Sequence, residues 1–235
     1  MPPIIPPTIT PTSISATSSR KIQPLPRLYA ITDPELMPDA ELLVKVEAAL
    51  KGGCRLLQYR DKNKSNNYVA AARALKQLCQ HYNAQFIIND DIELAHAIAA
   101  NGVHLGQGDT SLHKARQLLG PNAIIGITCH DSLELAQNAE SAGANYVAFG
   151  RFFRSHTKTE ARQAPLDILQ QAQQKISIPI VAIGGICLDN SQQIIQAGAN
   201  TIAVCHGLFA QKNITEVAKD LQKMPSNINS LNTEI

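Results

Sequence analysis

The feature of this sequence that most constrains its fold is a regular alternation of short apolar runs with amphipathic segments. The runs are rich in Ile, Val and Leu and nearly continuous, which is typical of parallel strands that are covered on both faces. We predict eight strands, at Leu28–Thr32, Leu56–Arg60, Phe86–Asn89, Val103–Gly106, Ile124–Cys129, Tyr146–Gly150, Ile180–Gly184 and Thr201–His206. Eight strands with intervening helices in about 200 residues predict an α/β protein with a single-domain (β/α)₈ fold, the TIM barrel. A doubly wound open sheet is the alternative, but no GxGxxG motif follows the first strand.

The amphipathic segments predict helices, because apolar residues recur in them every three or four positions. The predicted helices are Ala40–Leu50, Tyr68–His81, Ser132–Ser141, Leu166–Gln174, Asn190–Gln196 and Ile214–Lys223. In the first two of these helices, the spacing assigns Leu43 and Val69 to the face that packs on the strands.

Residues 1–26 differ in composition from the rest of the chain. They hold seven of the 13 prolines together with many Ser and Thr, and they show no apolar periodicity. Proline at this density disfavours helix and sheet alike, so we expect a disordered N-terminal extension. The barrel domain is then predicted at 27–224, followed by a flexible C-terminus at 225–235. The extension has neither the apolar stretch of a signal peptide nor the Arg-rich pattern of a transit peptide, and we expect a cytoplasmic protein.

The overall composition narrows the class of partner. Lys and Arg number 21 against 19 Asp and Glu, and this near-balance disfavours a dedicated nucleic-acid binder. The five cysteines are widely spaced and form no CxxC pair, so neither a zinc site nor a disulfide framework is expected. No run of 18 apolar residues is present, so we expect no membrane span. A homo-oligomer is compatible with the sequence.

Cationic and amide side chains follow the second predicted strand. Side chains alternate along a strand, so Gln58, Arg60 and Lys62 share one side of it. In a barrel of this kind the active site forms at the carboxyl ends of the strands, and this set would make an anion clamp there. The alternative is an ordinary solvated strand end.

Aspartates end the next two predicted strands. Asp90 follows the third strand and Asp109 follows the fourth, so their carboxylates are expected at neighbouring positions of the barrel mouth. Two carboxylates beside a cationic strand end predict a Mg²⁺ site whose remaining ligands are substrate phosphates and water. Either aspartate alone is equally well explained as a helix cap.

The fifth predicted strand ends in Thr128, Cys129 and His130. Adjacent residues of a strand point to opposite sides, so a nucleophilic pair of Cys129 and His130 is disfavoured. Thr128 is the better candidate for an inward hydroxyl donor. His130 is also explained by its position next to a helix start.

The last three predicted strands lead into loops whose residues are typical of phosphate-binding loops. The loop at 151–158 carries hydroxyls and cations together, which suits a phosphate contact or a moving lid. Gly184, Gly185 and the Cys205-His206-Gly207 turn follow strands 7 and 8, where barrels of this class bind phosphate through backbone amides. The residues therefore predict two anion sites for two phosphorylated substrates, one of them a metal-bound diphosphate suited to leave. They do not identify those substrates.

Five motifs in this order resemble the thiamine-phosphate synthase family, also called thiamine-phosphate pyrophosphorylases. They are Leu28–Asp33, Gln58–Lys62, Asn89–Asp90, His104–Asp109 and Ala182–Ile186, and the resemblance runs from about Leu28 to Phe209. It implies a Mg²⁺-dependent transferase of thiamine biosynthesis. That enzyme condenses 4-amino-2-methyl-5-(diphosphooxymethyl)pyrimidine with 4-methyl-5-(2-phosphoethyl)thiazole, giving thiamine phosphate and pyrophosphate by a dissociative substitution without a covalent nucleophile.

The resemblance also implies roles for individual residues. The pyrimidine diphosphate would be bound by Gln58, Arg60, Lys62, Asn89, Thr128 and Lys158. The thiazole phosphate would be bound by Ser155, His156, Thr157, Gly185, Cys205 and His206, and the metal by Asp90 and Asp109. The chain departs from the family pattern at the Cys205-His206 pair, where an aliphatic residue and a serine are common. Ser155 replaces a common threonine, and Arg151 and Arg154 stand where proline is frequent.

Three other functions are compatible with parts of the sequence. A thiazole tautomerase on the same barrel would use His130 as an acid or base but would have less need of the diphosphate-binding set. A non-catalytic barrel could bind thiamine precursors, or a protein partner through the N-terminal extension. A Schiff-base aldolase on Lys62 or Lys158 is disfavoured, because a lysine beside a metal-bound diphosphate stays protonated.

Overall fold

A computed structural model describes residues 24–154 and 163–225 of the chain. Its strands form one closed barrel in chain order, and every neighbouring pair is parallel, including the pair of the first and last strands. The strands are β1 (Leu28–Ile31), β2 (Leu56–Tyr59), β3 (Gln85–Asn89), β4 (Gly102–Leu105), β5 (Ile124–His130), β6 (Tyr146–Phe149), β7 (Ile180–Ile183) and β8 (Thr201–Val204). The predicted (β/α)₈ barrel is therefore confirmed.

The helices lie on the outside of this barrel. Within the described part of the chain they are α1 (Asp39–Lys51), α2 (Tyr68–His81), α3 (Ile92–Ala97), α4 (Leu112–Leu119), α5 (Leu133–Ser141), α6 (Asp167–Lys175), α7 (Leu188–Gln196), α8 (His206–Phe209) and α9 (Ile214–Lys223). Most buried apolar side chains pack between strands and helices. A smaller cluster fills the barrel interior: Tyr29, Ile31, Leu56, Ile87, Tyr146, Ala148, Val181 and Ala203.

Two details of the helix prediction were wrong. Leu43 and Val69 are 42% and 49% exposed, although the spacing assigned them to the packed face. Leu42 and Tyr68, one position earlier in each helix, are buried instead. Successive helical residues point about 100° apart, so adjacent apolar residues lie at different angles to the strands, and the spacing selected the less buried member of each pair.

Most strands end one or two residues earlier than predicted. Thr32, Arg60, Gly106, Gly150, Gly184 and His206 all lie beyond the last residue of their strands. These positions carry polar side chains or glycines that leave the sheet and build the barrel mouth, as Gly184 does with a φ of +106°. Only β5 ends later than predicted, at His130, with a register shift against β6, whereas β3 and β4 each begin one residue earlier.

The chain contacts the barrel from Leu25 onward. Leu25 packs against the interior cluster, and the Thr201 hydroxyl donates to the Pro26 carbonyl at 2.9 Å. These contacts lie in the last residues of the segment predicted as an extension; 1–23 and 226–235 lie outside the described residues. Among the described helices, none has the length and apolar character needed to cross a membrane.

Candidate active site

The end of β2 places Gln58 inside the barrel. Gln58 is 2% exposed, and its side-chain amide donates to the Tyr29 hydroxyl at 2.8 Å. The next residue, Tyr59, faces the helices and stacks on Tyr68 of α2, with ring centroids 5.4 Å apart. The alternation predicted for β2 is therefore observed at these two residues.

Arg60 is held by a residue that the sequence prediction missed. The Thr32 hydroxyl accepts from the Arg60 backbone N–H at 2.8 Å and donates to the Arg60 carbonyl at 3.3 Å. Thr32 follows β1 and is 1% exposed, so its hydroxyl fixes the backbone of Arg60 at the edge of the mouth. The only signal in the sequence is a hydroxyl residue directly after an apolar strand.

The turn that carries Lys62 is built on the carboxylate of Asp61. That buried carboxylate accepts from the backbone N–H groups of Asn63 at 3.1 Å and Ser65 at 3.0 Å. Lys62 itself is exposed. Asp61 thus has a structural task, which is to hold the turn that carries Lys62.

The two predicted metal-binding carboxylates lie against each other. Asp90 has a φ of +63°, and its backbone N–H donates to the His104 carbonyl at 2.9 Å, which ties the end of β3 to β4. The Asp109 carboxylate accepts from the Gly106 N–H at 2.7 Å. A Cβ at Gly106 would lie 2.7 Å from the same carboxylate oxygen, so glycine is needed for this approach. Burial and the hydrogen bond with Asp109 raise the pKa of Asp90 to about 6.

The neighbouring aspartate behaves as a helix cap. Asp91 accepts from the Leu94 N–H at 2.9 Å at the start of α3 and forms an ion pair with Lys64 at 2.7 Å. The residue that caps the helix after β3 is therefore Asp91 and not Asp90.

The pair of Asp90 and Asp109 fits a hard divalent cation. Each carboxylate offers oxygen donors, and a cation between them offsets the burial and the interaction with Asp109 that raise the pKa of Asp90. No group of three or more His, Cys, Asp or Glu side chains that could hold a metal occurs in 24–154 and 163–225. A cation here would therefore take its remaining ligands from substrate and water, as Mg²⁺ does in phosphate-binding enzymes.

Replacing Asp109 by Asn is expected to stabilise the metal-free protein above pH 6. The pKa of Asp90 is raised in the folded protein. The contribution of this residue to the free energy of unfolding is therefore fully present below its ordinary pKa of 3.8 and is lost as the pH rises through about 6. Removing the Asp109 charge removes part of that loss. Thermal melts in chelator should show a Tm roughly 2–4 °C above wild type at pH 8. The difference should vanish at pH 4, and an equal difference at both pH values would contradict the charge argument.

Thr128 and Gln58 are joined through the barrel interior by three residues that the sequence prediction missed. The Thr128 hydroxyl lies 2.8 Å from His104 Nε2, and His104 Nδ1 lies 3.0 Å from the Tyr146 hydroxyl. That hydroxyl lies 2.8 Å from the Tyr29 hydroxyl, which accepts from Gln58. Tyr29 and His104 stand inside the family motifs, but nothing in the sequence links them to each other.

The cysteines near the mouth are not activated. Cys129 lies on the helix side of β5, and burial raises the pKa of its thiol to about 12. Burial raises the pKa of the half-buried Cys205 thiol to about 12 as well. Both thiols therefore stay protonated at neutral pH. His130 is exposed at the end of β5.

Three loop backbones converge at the ends of β6, β7 and β8. The Phe153 N–H donates to the Gly184 carbonyl at 3.0 Å, and a Cβ at Gly185 would overlap the Arg154 carbonyl oxygen. A Cβ at Gly207 would likewise overlap the Ile186 carbonyl oxygen. The structure thus brings Gly185 and the Cys205-His206 turn to one edge of the mouth. Four predicted site residues lie outside the described residues: Ser155, His156, Thr157 and Lys158.

Comparisons with known proteins agree with this geometry. The family model of thiamine monophosphate synthase matches residues 28–208. The chain is 55% identical to a thiamine-phosphate synthase of Saccharophagus degradans over 202 residues, which cover 85% of this chain and 93% of that protein. It is 50% identical to one of Thioalkalivibrio sulfidiphilus over 199 residues, covering 84% and 94%. The solved structure of thiamine phosphate pyrophosphorylase from Pyrococcus furiosus superposes with a TM-score of 0.76 at 34% identity, covering 84% of this chain and 94% of that one.

Proposed function

This chain belongs to the thiamine monophosphate synthase family, and from that premise we propose how its barrel mouth carries out the reaction. It is a transferase of thiamine biosynthesis, a thiamine-phosphate synthase, that condenses a pyrimidine diphosphate with a thiazole phosphate to give thiamine phosphate and pyrophosphate. The observation that carries the proposal is the facing pair of Asp90 and Asp109 beside the cationic end of β2. That arrangement suits a diphosphate leaving group.

The carboxylates of Asp90 and Asp109 would hold Mg²⁺. When bound, the ion supplies positive charge that stabilises the diphosphate as it leaves. Arg60 and Lys62 contribute further positive charge at the same place, and Lys158 is proposed to join them. The backbone from which the Arg60 side chain extends is fixed by the Thr32 hydroxyl.

The substitution is proposed to be dissociative. The bond between the pyrimidine methylene carbon and the diphosphate oxygen breaks first, and both electrons leave with pyrophosphate. The aminopyrimidine delocalises the positive charge left on the methylene, and the thiazole nitrogen then donates its lone pair to form the new C–N bond. The protein supplies no nucleophile, and the protonated thiols of Cys129 and Cys205 support this.

The remaining side chains are proposed to position the two substrates. Gln58, Asn89 and Thr128 would bind the pyrimidine part. Gly185 and the Cys205-His206 turn would bind the thiazole phosphate together with Ser155, His156 and Thr157. The partners are thus phosphorylated small molecules, and the cytoplasmic location stays a prediction.

Pyrophosphate release by the purified protein tests the proposal. The assay contains both precursors and Mg²⁺ and is repeated with each component omitted. Release that requires the thiazole phosphate and is matched by thiamine phosphate is the expected result. Isomerisation of a thiazole phosphate without pyrophosphate release would replace the synthase by the tautomerase. Binding of either precursor without turnover would leave a non-catalytic barrel.

A further inference from the structure

A chain of hydrogen bonds crosses the barrel interior from β2 to β5. It runs through five side chains on five strands or strand ends: Gln58, Tyr29, Tyr146, His104 and Thr128. All four links are between 2.8 and 3.0 Å long. Both ends of the chain are residues proposed above to bind the pyrimidine substrate, whereas the three middle residues have no role in that proposal.

The three middle residues of this hydrogen-bond chain are tightly enclosed. Tyr29 and Tyr146 are fully buried and meet edge to face, with centroids 5.9 Å apart. The ring of Tyr146 also stacks on His104 at 5.6 Å and 17°. A Cβ at Gly126 would overlap the Tyr146 ring, so the glycine of β5 makes room for it. The hydroxyls therefore have little freedom to find other partners.

The direction of these hydrogen bonds follows from the orientation of the Gln58 amide and from counting protons. The Tyr29 hydroxyl accepts from the Gln58 amide, and within the described residues its one further hydrogen-bond partner is the Tyr146 hydroxyl. Tyr29 must then donate to Tyr146, because its single proton would otherwise be buried without an acceptor. Burial raises the pKa of both phenols above the ordinary value of 10, so both carry that proton.

The same count continues to the other end. Tyr146 accepts from Tyr29, and among the described residues its other hydrogen-bond partner is Nδ1 of His104, so its buried proton goes to that nitrogen. Nδ1 is then an acceptor, and the proton of the neutral imidazole lies on Nε2 and is donated to the Thr128 hydroxyl oxygen. Thr128 is left with its own proton to donate to a ligand.

We infer that Tyr29, Tyr146 and His104 form a directional relay of positioning residues, which fixes the Gln58 amide and the Thr128 hydroxyl together for the pyrimidine diphosphate. Turning the Gln58 amide over would reverse all four bonds at once, and it would use up the Thr128 proton on His104. In the inferred direction, Gln58 keeps its carbonyl oxygen and one N–H for a ligand. That acceptor and donor match the amino group and ring nitrogen of an aminopyrimidine. This role in substrate binding rests on the proposed function, whereas the direction of the relay does not.

The tautomer of His104 tests the direction without any substrate. Two-bond ¹H–¹⁵N correlation spectra of the full chain, labelled with ¹⁵N-histidine and recorded at pH 8, distinguish the two neutral tautomers from the cation. The chain has seven histidines, and the signals of His104 are those lost in His104→Gln. A neutral ring with its proton on Nε2 is expected. A proton on Nδ1, or a doubly protonated ring, would overturn the inference even if the protein is an active synthase.

Tyr146→Phe tests the positioning role, with Tyr82→Phe as the matched control. Tyr82 also loses one hydrogen bond, to Glu47 at 2.9 Å, but on the outer surface between α1 and the end of α2. Tyr146→Phe should raise KM for the pyrimidine diphosphate roughly ten- to a hundredfold, the size of one or two lost buried hydrogen bonds. KM for the thiazole phosphate should stay within about twofold. Tyr82→Phe should change neither KM.

A double-mutant cycle separates positioning from a structural effect. If Tyr146 acts through Thr128, adding Tyr146→Phe to Thr128→Val should cost much less than it does in the wild type. Full additivity would show that Tyr146 does not act through Thr128 and would overturn the relay as inferred, and an equal rise of both KM values would show that Tyr146 only supports the fold. If neither precursor is turned over by the wild type, the proposed function fails, while the spectra still decide the direction of the relay.

Discussion

Asp90→Asn is expected to lower kcat at least about a thousandfold, which corresponds to roughly 4 kcal/mol of lost transition-state stabilisation. The substitution leaves Asp109 as the one carboxylate of the pair, and a single carboxylate holds a divalent cation far more weakly. The side chain keeps its size, and an amide oxygen can still accept from Asn89, which donates to Asp90 at 2.6 Å in the structure. Steady-state turnover with saturating precursors and a Mg²⁺ titration measures the effect.

Asp91→Asn is the matched control for this prediction. Asp91 is adjacent in sequence but caps α3 and pairs with Lys64, whose side chain is 61% exposed. Asn is also a good helix cap, and an exposed ion pair contributes little, so turnover should stay within about threefold of wild type. Wild-type turnover in Asp90→Asn, with the fold intact by circular dichroism, would contradict the assignment of Asp90 as a metal ligand.

Gly185→Ala is expected to have the second large effect, on the thiazole-phosphate edge of the site. Gly185 has a φ of +66°, and an added Cβ would overlap the Arg154 carbonyl oxygen. A backbone atom cannot move aside as a flexible side chain can, so the loops after β6 and β7 must separate. We expect KM for the thiazole phosphate to rise tenfold or more and the free energy of unfolding to fall by about 1–3 kcal/mol. Kinetics with each precursor varied in turn and urea unfolding measure the two effects.

Gly108→Ala provides the comparison for the same chemical change. Gly108 also lies in a loop at the barrel mouth, but nothing stands within 4 Å of where its Cβ would be. Its activity and stability should therefore remain near those of the wild type. Equal behaviour of the two variants would mean that the contact between the loops is not required for binding.

The barrel could be predicted because each strand is specified locally. The apolar runs and the glycines and polar residues after them mark β1 to β8, and the alternation along β2 already separated Gln58 from Tyr59. Helix faces were less certain where apolar residues are adjacent. Leu42, Leu43 and Val44 follow one another in α1, and only contact with the strands decides which of them is buried.

The parts that could not be predicted depend on contacts between distant strands. Nothing near Tyr29 in the sequence indicates that its hydroxyl meets that of Tyr146, which lies 117 residues later. Thr32 was missed for the same reason, because its partner Arg60 follows the next strand, β2. The α4 helix (Leu112–Leu119) was not predicted; it is only eight residues long, Ala115 is its one fully buried residue, and Leu112, Leu118 and Leu119 pack on the core only partly buried.

The pairing of β1 with β8 has a consequence for synthesis of the chain. Leu28 and Tyr29 pair with Ile202 and Ala203, and the Leu28 N–H binds the side chain of Gln222. While β8 is still inside the ribosome, β1 therefore has a bare edge that can pair with other nascent chains. Closure of the barrel must wait until β8 has been translated. Premature termination before β8 would yield a product with two open sheet edges, and a cell must remove it rather than use it as a shorter enzyme.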